Sequence, residues 1–256
     1  MQDHLISIVT PLHNGENYIA QTIESARAQS YRNFEMLIIN DHSSDASARI
    51  VQDIAEKDER ITLIDAQAYG AAQARNQALR LAQGDFIAFL DADDLWLEDK
   101  LEKQVAFMEE KNIDFSYHPY DLIDKDSNDL HIRREVPHKV TYKSLLFGLR
   151  FGCLSVMYRR SAAPNIQAAD LKKRNDYALW LKALKEIDAG YALNESLAKY
   201  RKLDDSLSAG KKYKLLPYHF ELFRKNEGFG LVKSAFYTIS NVVVYLDIKK
   251  NWEHPL

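Results

Sequence analysis

Along the first hundred residues, short apolar runs alternate with segments whose apolar residues recur every three or four positions. The runs LISIVT (5–10), FEMLIIN (34–40), ITLID (61–65) and DFIAFLD (85–91) are rich in β-branched residues and end abruptly in polar ones, which predicts buried strands. The stretches between them, 17–29, 46–57 and 71–81, predict helices; Ile19, Ile23 and Ala26 mark one apolar stripe. Alternation of this kind predicts βαβ units, and so an α/β fold whose mostly parallel sheet is covered by helices. Ligands of such sheets sit beyond the carboxyl ends of the strands. Three of those ends are polar: Thr10 to Asn14, Asn40 to Ser44, and Asp91 to Asp94.

The last of these sets the chemical question. In FIAFLDADDLW an apolar strand runs straight into Asp91, Asp93 and Asp94, three charges that repel one another unless a cation lies among them. Where the strand breaks, Asp91 and Asp93 can converge on one divalent ion. Hard carboxylate oxygens suit Mg²⁺ or Mn²⁺, and an incomplete protein cage leaves room for water and a ligand's phosphates. Asp41, ending a neighbouring strand, can accept hydrogen bonds from a base or ribose, and Arg75 can reach a phosphate or hold the carboxylates. The plainer alternative is a solvated turn, with Asp93 or Asp94 capping a helix over 97–110.

The blocks SIVTPLHNGENYIAQTIESARAQSYRNFEMLIINDHSSDAS and GAAQARNQALRLAQGDFIAFLDADDLW resemble family 2 glycosyltransferases of the GT-A fold, in order and spacing over about the first 110 residues. The resemblance implies an inverting enzyme that moves a sugar from a nucleotide-sugar donor, usually a UDP-sugar. It implies that Pro11, Leu12 and His13 line the base pocket and that Asp41 binds uracil or ribose. It also sets Arg75 beside the nucleotide, Asp91 at the ribose, Ala92 in the nucleotide-sugar site, and Asp93 on a Mn²⁺ or Mg²⁺ ion. The chain departs from the family pattern at His13, Asn40, His42 and Ala68, where tyrosine, an acid, glycine and asparagine are common.

For the acceptor side, KKRNDYALWLKAL (172–184) resembles the family's Glu-Asp helix, with Asn175 in place of the Glu and Asp176 as the implied base. Without the resemblance, Asp176 reads as a first-turn carboxylate and Trp180 as core. KYRKLDDSLSA (199–209) resembles a segment that carries a histidine where Leu203 stands; Arg201 and Lys202 remain as diphosphate partners or as a solvated basic loop. The charged stretch 117–138 reads as a variable acceptor loop.

Charge and composition refine this reading. A formal net charge of −3 gives no reason to expect nucleic-acid binding. The single Cys153 excludes an internal disulfide and suits a reducing compartment. The N-terminus lacks the pattern of a signal peptide, and no apolar stretch approaches 18 uninterrupted residues, so a cytoplasmic chain is expected. The expected organisation is a catalytic domain over 1–209, divided into donor (1–110) and acceptor (111–209) parts, and a helical appendage over 210–256. That appendage has eight Lys or Arg against four Asp or Glu, +4, which leaves −7 for the rest. Its apolar faces and basic flanks suit the inner membrane surface and a lipid-linked glycan acceptor; packing on the domain or forming a homodimer is the alternative. A phosphatase-type site is disfavoured because its acidic motif belongs on the first strand. A polymerising synthase is disfavoured for want of spans and a Gln-x-x-Arg-Trp segment, while a silent nucleotide-sugar-binding module stays open.

Overall fold

The computed structural model describes residues 3–203 and 215–255. Ser206 and Ser208 of the 199–209 segment, and the basic run 211–214, lie outside the described residues. The chain opens with β1 (Ile6–Leu12), α1 (Ile19–Arg27), β2 (Phe34–Asn40), α2 (Ser47–Ala55), β3 (Ile61–Asp65), α3 (Ala71–Leu81) and β4 (Phe86–Phe89). These are the predicted strands and helices, with helix ends trimmed by two residues or fewer. β2 and β3 build outward on one side of β1, and the chain then crosses back to lay β4 parallel on its other side, Val9 opposite Phe89. The order therefore reverses between β1 and β4, which opens a crevice beyond Leu12 and Leu90.

The second half continues the same sheet. β5 (Leu95–Trp96), α4 (Lys100–Lys111), β6 (Phe115–Tyr117), β7 (Tyr120–Ile123), β8 (Asp129–Arg134), β9 (Lys139–Val140), α5 (Tyr142–Leu145) and β10 (Met157–Arg159) come first. After them come α6 (Asn175–Glu186), β11 (Gly190–Ala192), β12 (Ala198–Arg201), α7 (Leu216–Glu221), α8 (Leu231–Asn251) and β13 (Glu253–Pro255). β10 inserts antiparallel between β4 and β6, giving a mixed eight-stranded sheet in the order β3-β2-β1-β4-β10-β6-β11-β9. Each face carries a core: Val9, Leu37 and Phe89 pack under α3 and α6, while Ile8, Met36 and Phe86 pack under α1 and α4. Trp180 is fully buried and meets Phe89 edge-on at 4.8 Å, so it is a core residue.

A second sheet of five strands runs in the order β13-β8-β7-β12-β5. The stretch 117–138 is therefore not an open loop. β7 and β8 form a hairpin whose turn is closed by Asp124 Oδ1, which accepts from the backbone N–H groups of Asp126 and Asn128 at 2.9 Å each. The helix expected from 97 starts at Lys100, because Leu95 and Trp96 pair with β12. Its N-cap is Asp99, and neither Asp93 nor Asp94 caps it.

The C-terminal segment is tied to the domain: Leu222 and Phe223 enter the core, and β13 pairs with β8. α8 packs with its polarity inverted. Ser234, Thr238 and Asn241 are buried, with Asn241 Nδ2 donating to the Leu146 carbonyl at 3.1 Å. Val232, Phe236, Ile239, Val243 and Leu246 face outward, Val232 at 86% exposure. The window Leu231–Ile248 is also long and apolar enough to cross a membrane, which corrects the expectation drawn from uninterrupted runs alone. In this fold both of its ends are held on the domain.

One buried side chain on β12, Arg201, ties the second sheet to the turn after β4 and to α1. Its Nε donates to the Asp93 carbonyl at 2.8 Å, Nη1 to the Asp124 carbonyl at 3.2 Å and Ser127 Oγ at 2.8 Å, and Nη2 to Gln21 Oε1 at 3.0 Å. Arg201→Ala should strand several of these acceptors and lower stability by about 3 kcal/mol, read by denaturant unfolding.

Candidate active site

At the end of β1 and β2 the backbone itself shapes a cup. The Asp41 N–H donates to the Leu12 carbonyl at 2.7 Å, and His13 Nδ1 donates to the Asp41 carbonyl at 2.6 Å, so that imidazole carries its proton on Nδ1. Pro11 is half-buried, Leu12 buried and His13 exposed, three neighbours that step from the core onto the rim. The buried Asp41 carboxylate accepts from the Gly70 N–H at 2.9 Å. Gly70 has φ +98°, a conformation that favours glycine, and so delivers that N–H at the entry to α3. Asn40, where an acid is common in the family, uses both ends of its amide, donating to Asp65 Oδ1 at 2.9 Å and accepting from the Ser43 N–H at 3.1 Å. His42 stacks on Tyr69 at 3.8 Å with a 16° tilt. Tyr69 is 77% exposed and stands at the rim; its place in a loop without periodicity gave no earlier signal.

Opposite this cup the chain leaves β4 and turns through Asp91, Ala92, Asp93 and Asp94. The carbonyl oxygens of Ala92 and Asp94 each lie 3.0 Å from Thr22 Oγ1 on α1. Asp94 points inward, fully buried, and accepts from the Arg201 N–H at 2.9 Å. Burial, reinforced by Asp93 and Asp91, pushes its carboxyl well above the usual range. Asp93 stays half-buried, and its carboxylate receives no donor from another side chain among the described residues. Burial, and then the Asp91 charge, push it up to about 6. Such a carboxylate fits a hard divalent cation. No group of three or more His, Cys, Asp or Glu side chains forms a cage among the described residues, so most positions around such an ion would belong to water and phosphate oxygens.

Arg75, buried on α3, ties this turn to the start of α6. Its Nη2 donates to Asp91 Oδ1 at 2.5 Å and its Nη1 to Asn175 Oδ1 at 2.6 Å. Burial works against the guanidinium charge, but Asp91 and Asp176 outweigh it and hold the group charged. Asp176 follows Asn175 in the first turn of α6, half-buried, where the helix dipole favours a carboxylate. Cys153 is buried close by, and burial keeps it a neutral thiol. The structure thus links the Asp91–Asp93 turn through Arg75 to the helix start that carries Asp176, and sets Asp41 at the neighbouring strand end. Arg201 lies buried beneath the Asp93–Asp94 turn, and its guanidinium is occupied by acceptors there and in the β7–β8 turn, which corrects its reading as a diphosphate partner. Lys202 is exposed and joins β7 through its backbone.

The sequence profile of glycosyl transferase family 2 matches residues 7–166. TuaG of Bacillus subtilis, whose name assigns it to teichuronic acid biosynthesis, is 38% identical over 233 residues, 91% of this chain and 92% of its own. The Escherichia coli protein WfgD, a UDP-Glc:alpha-D-GlcNAc-diphosphoundecaprenol beta-1,3-glucosyltransferase, is 39% identical over 217 residues, 82% of each chain. Among solved structures, Staphylococcus aureus TarS 1–349 with UDP-GlcNAc superposes with a TM-score of 0.69 at 19% identity, over 95% of this chain and 72% of that one. The mannosyltransferase PcManGT of Pyrobaculum calidifontis, in complex with GDP-Man and Mn²⁺, gives 0.64 at 15% identity, over 97% and 76%. The fold is GT-A.

A carboxyl group whose pKa is raised by folding costs stability once the pH climbs past that of the unfolded chain, near 4, and the full cost is present above about 6. A bound cation removes it. Mn²⁺ should therefore raise the melting temperature at pH 7.5 and have little effect at pH 5, and Asp93→Asn should abolish the difference in a thermal-shift titration.

Proposed function

Since the chain belongs to glycosyl transferase family 2, we propose that it moves a hexosyl or N-acetylhexosaminyl group from a UDP-sugar to a hydroxyl of a lipid-linked glycan in cell-surface polysaccharide synthesis. The observation that carries the reading is the link from the Asp91–Asp93 turn through Arg75 to the helix start that carries Asp176, with Asp41 at the neighbouring strand end. UDP-sugar is the favoured donor because the Escherichia coli relative uses UDP-Glc and TarS binds UDP-GlcNAc.

In this reading the base lies between Pro11, Leu12 and His13 on one side and the Asp41 carboxylate on the other, which accepts from uracil or ribose. Asp91 and the Ala92 backbone face the ribose. Arg75 orients Asp91 and lends its charge to the donor side. Asp93 would hold a divalent ion, Mn²⁺ or Mg²⁺, which supplies charge neutralisation to the departing diphosphate. Asp176 takes the proton of the acceptor hydroxyl as its oxygen attacks the anomeric carbon. The bond from that carbon to the diphosphate oxygen breaks, UDP leaves, and the anomeric configuration inverts. A fixed carboxylate on a helix start suits this task, since general bases act through position first.

A lipid-linked acceptor sits at the cytoplasmic face of a membrane. The outward apolar strip of α8 is the surface suited to meet it, with the basic balance of 210–256 favouring anionic lipid.

Asp176→Asn should reduce kcat by about 10²–10⁴-fold while calorimetric UDP affinity stays within about twofold. Loss of UDP binding instead would remove Asp176 from the role of base. For the membrane contact, the triple change Val232→Ser, Phe236→Ser and Ile239→Ser should cut flotation with phosphatidylglycerol vesicles at least about tenfold. If the native chain ignores vesicles but sediments as a dimer that the triple change splits, the strip meets a second copy.

A further inference from the structure

α6 begins without the device that usually fixes a helix start. Its N-cap is Arg174, in the left-handed region at φ 66°, and among the described residues there is no side-chain cap hydrogen bond. A serine, threonine, aspartate or asparagine there would orient the first turn. Here that turn is oriented from outside. Asn175 is 6% exposed and Arg75 is 7% exposed, and the bond between them, Nη1 to Oδ1 at 2.6 Å, spans 100 residues of sequence. The next residue on α3, Asn76, grips the approach to α6 as well. Its Nδ2 donates to the Ala168 carbonyl at 3.0 Å, and its Oδ1 accepts from the Ala168 N–H at 2.7 Å. Two successive residues of one helix therefore clamp both ends of the segment 168–175, and the second clamp closes one residue before Asp176.

We infer that Asn175 is the positioning residue of the reaction: through Arg75 it locks the first turn of α6 to Asp91, and so sets the distance between the Asp176 carboxylate and the donor sugar. This rests on the assignment of Asp176 as the base. The choice of an amide has a physical reason. Arg75 has two arms, and one already serves the Asp91 carboxylate. A neutral acceptor on the other arm fixes the guanidinium without cancelling its charge. An acid there would give Arg75 two carboxylates and put a second negative charge next to Asp176. The site already concentrates Asp91, Asp93, Asp94 and Asp176 around Arg75 and Arg201, so the amide also limits repulsion of an incoming diphosphate.

Positioning predicts a separation that ordinary damage to the fold does not. Asn175→Leu, close in shape but without an acceptor, should lower kcat about tenfold to hundredfold in full-length enzyme, assayed with UDP-glucose and a short-chain α-GlcNAc diphosphate lipid. The KM for UDP-glucose and the calorimetric Kd for UDP should stay within about twofold. Asn175→Asp, which still accepts from Arg75, should recover part of the lost kcat. Combining Asn175→Leu with Arg75→Lys should cost no more than Arg75→Lys alone, because both break one link. Asn175→Ser, too short to reach Arg75, serves if the leucine variant fails to fold. Wild-type kcat in the leucine or serine variant, a proportional rise in UDP Kd, or an aspartate variant no better than leucine would overturn the inference. Asp176→Asn is assayed in parallel. If it transfers sugar normally, the base assignment itself fails; if it is inactive while the leucine variant is normal, only the positioning role fails.

Discussion

A guanidinium removed from water must be surrounded by partners, and that requirement at Arg75 organises the functional end of this molecule. The charge lies on α3, beneath the crevice. Its two arms draw in a carboxylate from the turn after β4 and an amide from the start of α6. Three elements distant in sequence are thereby fixed relative to one another, and the groups assigned to donor and acceptor lie on opposite sides of the link. Among the described residues the Arg75 Nε has no hydrogen-bond partner, so the side chain has one donor unspent in the same enclosure.

The turn after β4 shows the opposite economy, with negative charge accumulated beyond what the protein balances. Arg201 holds the Asp93 carbonyl and meets Asp94 through its backbone N–H, while Thr22 fixes the same turn from α1. The backbone is held at several points, while the Asp93 carboxylate takes no donor from another side chain among the described residues. Folding works against this arrangement, as the raised pKa values of Asp93 and Asp94 record. Sites that bind charged ligands accept such local cost because the ligand relieves it.

How much of this could be read along the chain follows the kind of interaction involved. The alternation of β1 to β4 with three helices was legible because burial imposes its period directly on the sequence. The polar strand ends were legible for the same reason, since a run that stops abruptly marks where the sheet meets solvent. The hairpin β7–β8 was not, because its strands carry charges that pair across the ladder, Arg133 with Asp121 at 2.7 Å, and these read as loop. Arg201 misled because a basic residue in a motif-like segment looks available, and only the fold shows its arms occupied. Asn175 looked like a lost acid; its contact with Arg75 shows an acceptor with a task. The inverted packing of α8 was hidden too, since its apolar periodicity is equally strong whether the strip faces a core or points away from it.

The insertion of β10 between β4 and β6 bears on how such proteins diversify. A strand from beyond residue 110 completes the edge left open by β4, so the two parts of the chain share one sheet. A recombination event there would join a β4 from one parent to a β10 from another, and Ile87 and Ala88 would have to find new neighbours for Tyr158 and Met157. Exchange of whole halves should therefore disturb the centre of the sheet, whereas changes confined to loops and the β7–β8 hairpin leave that seam intact.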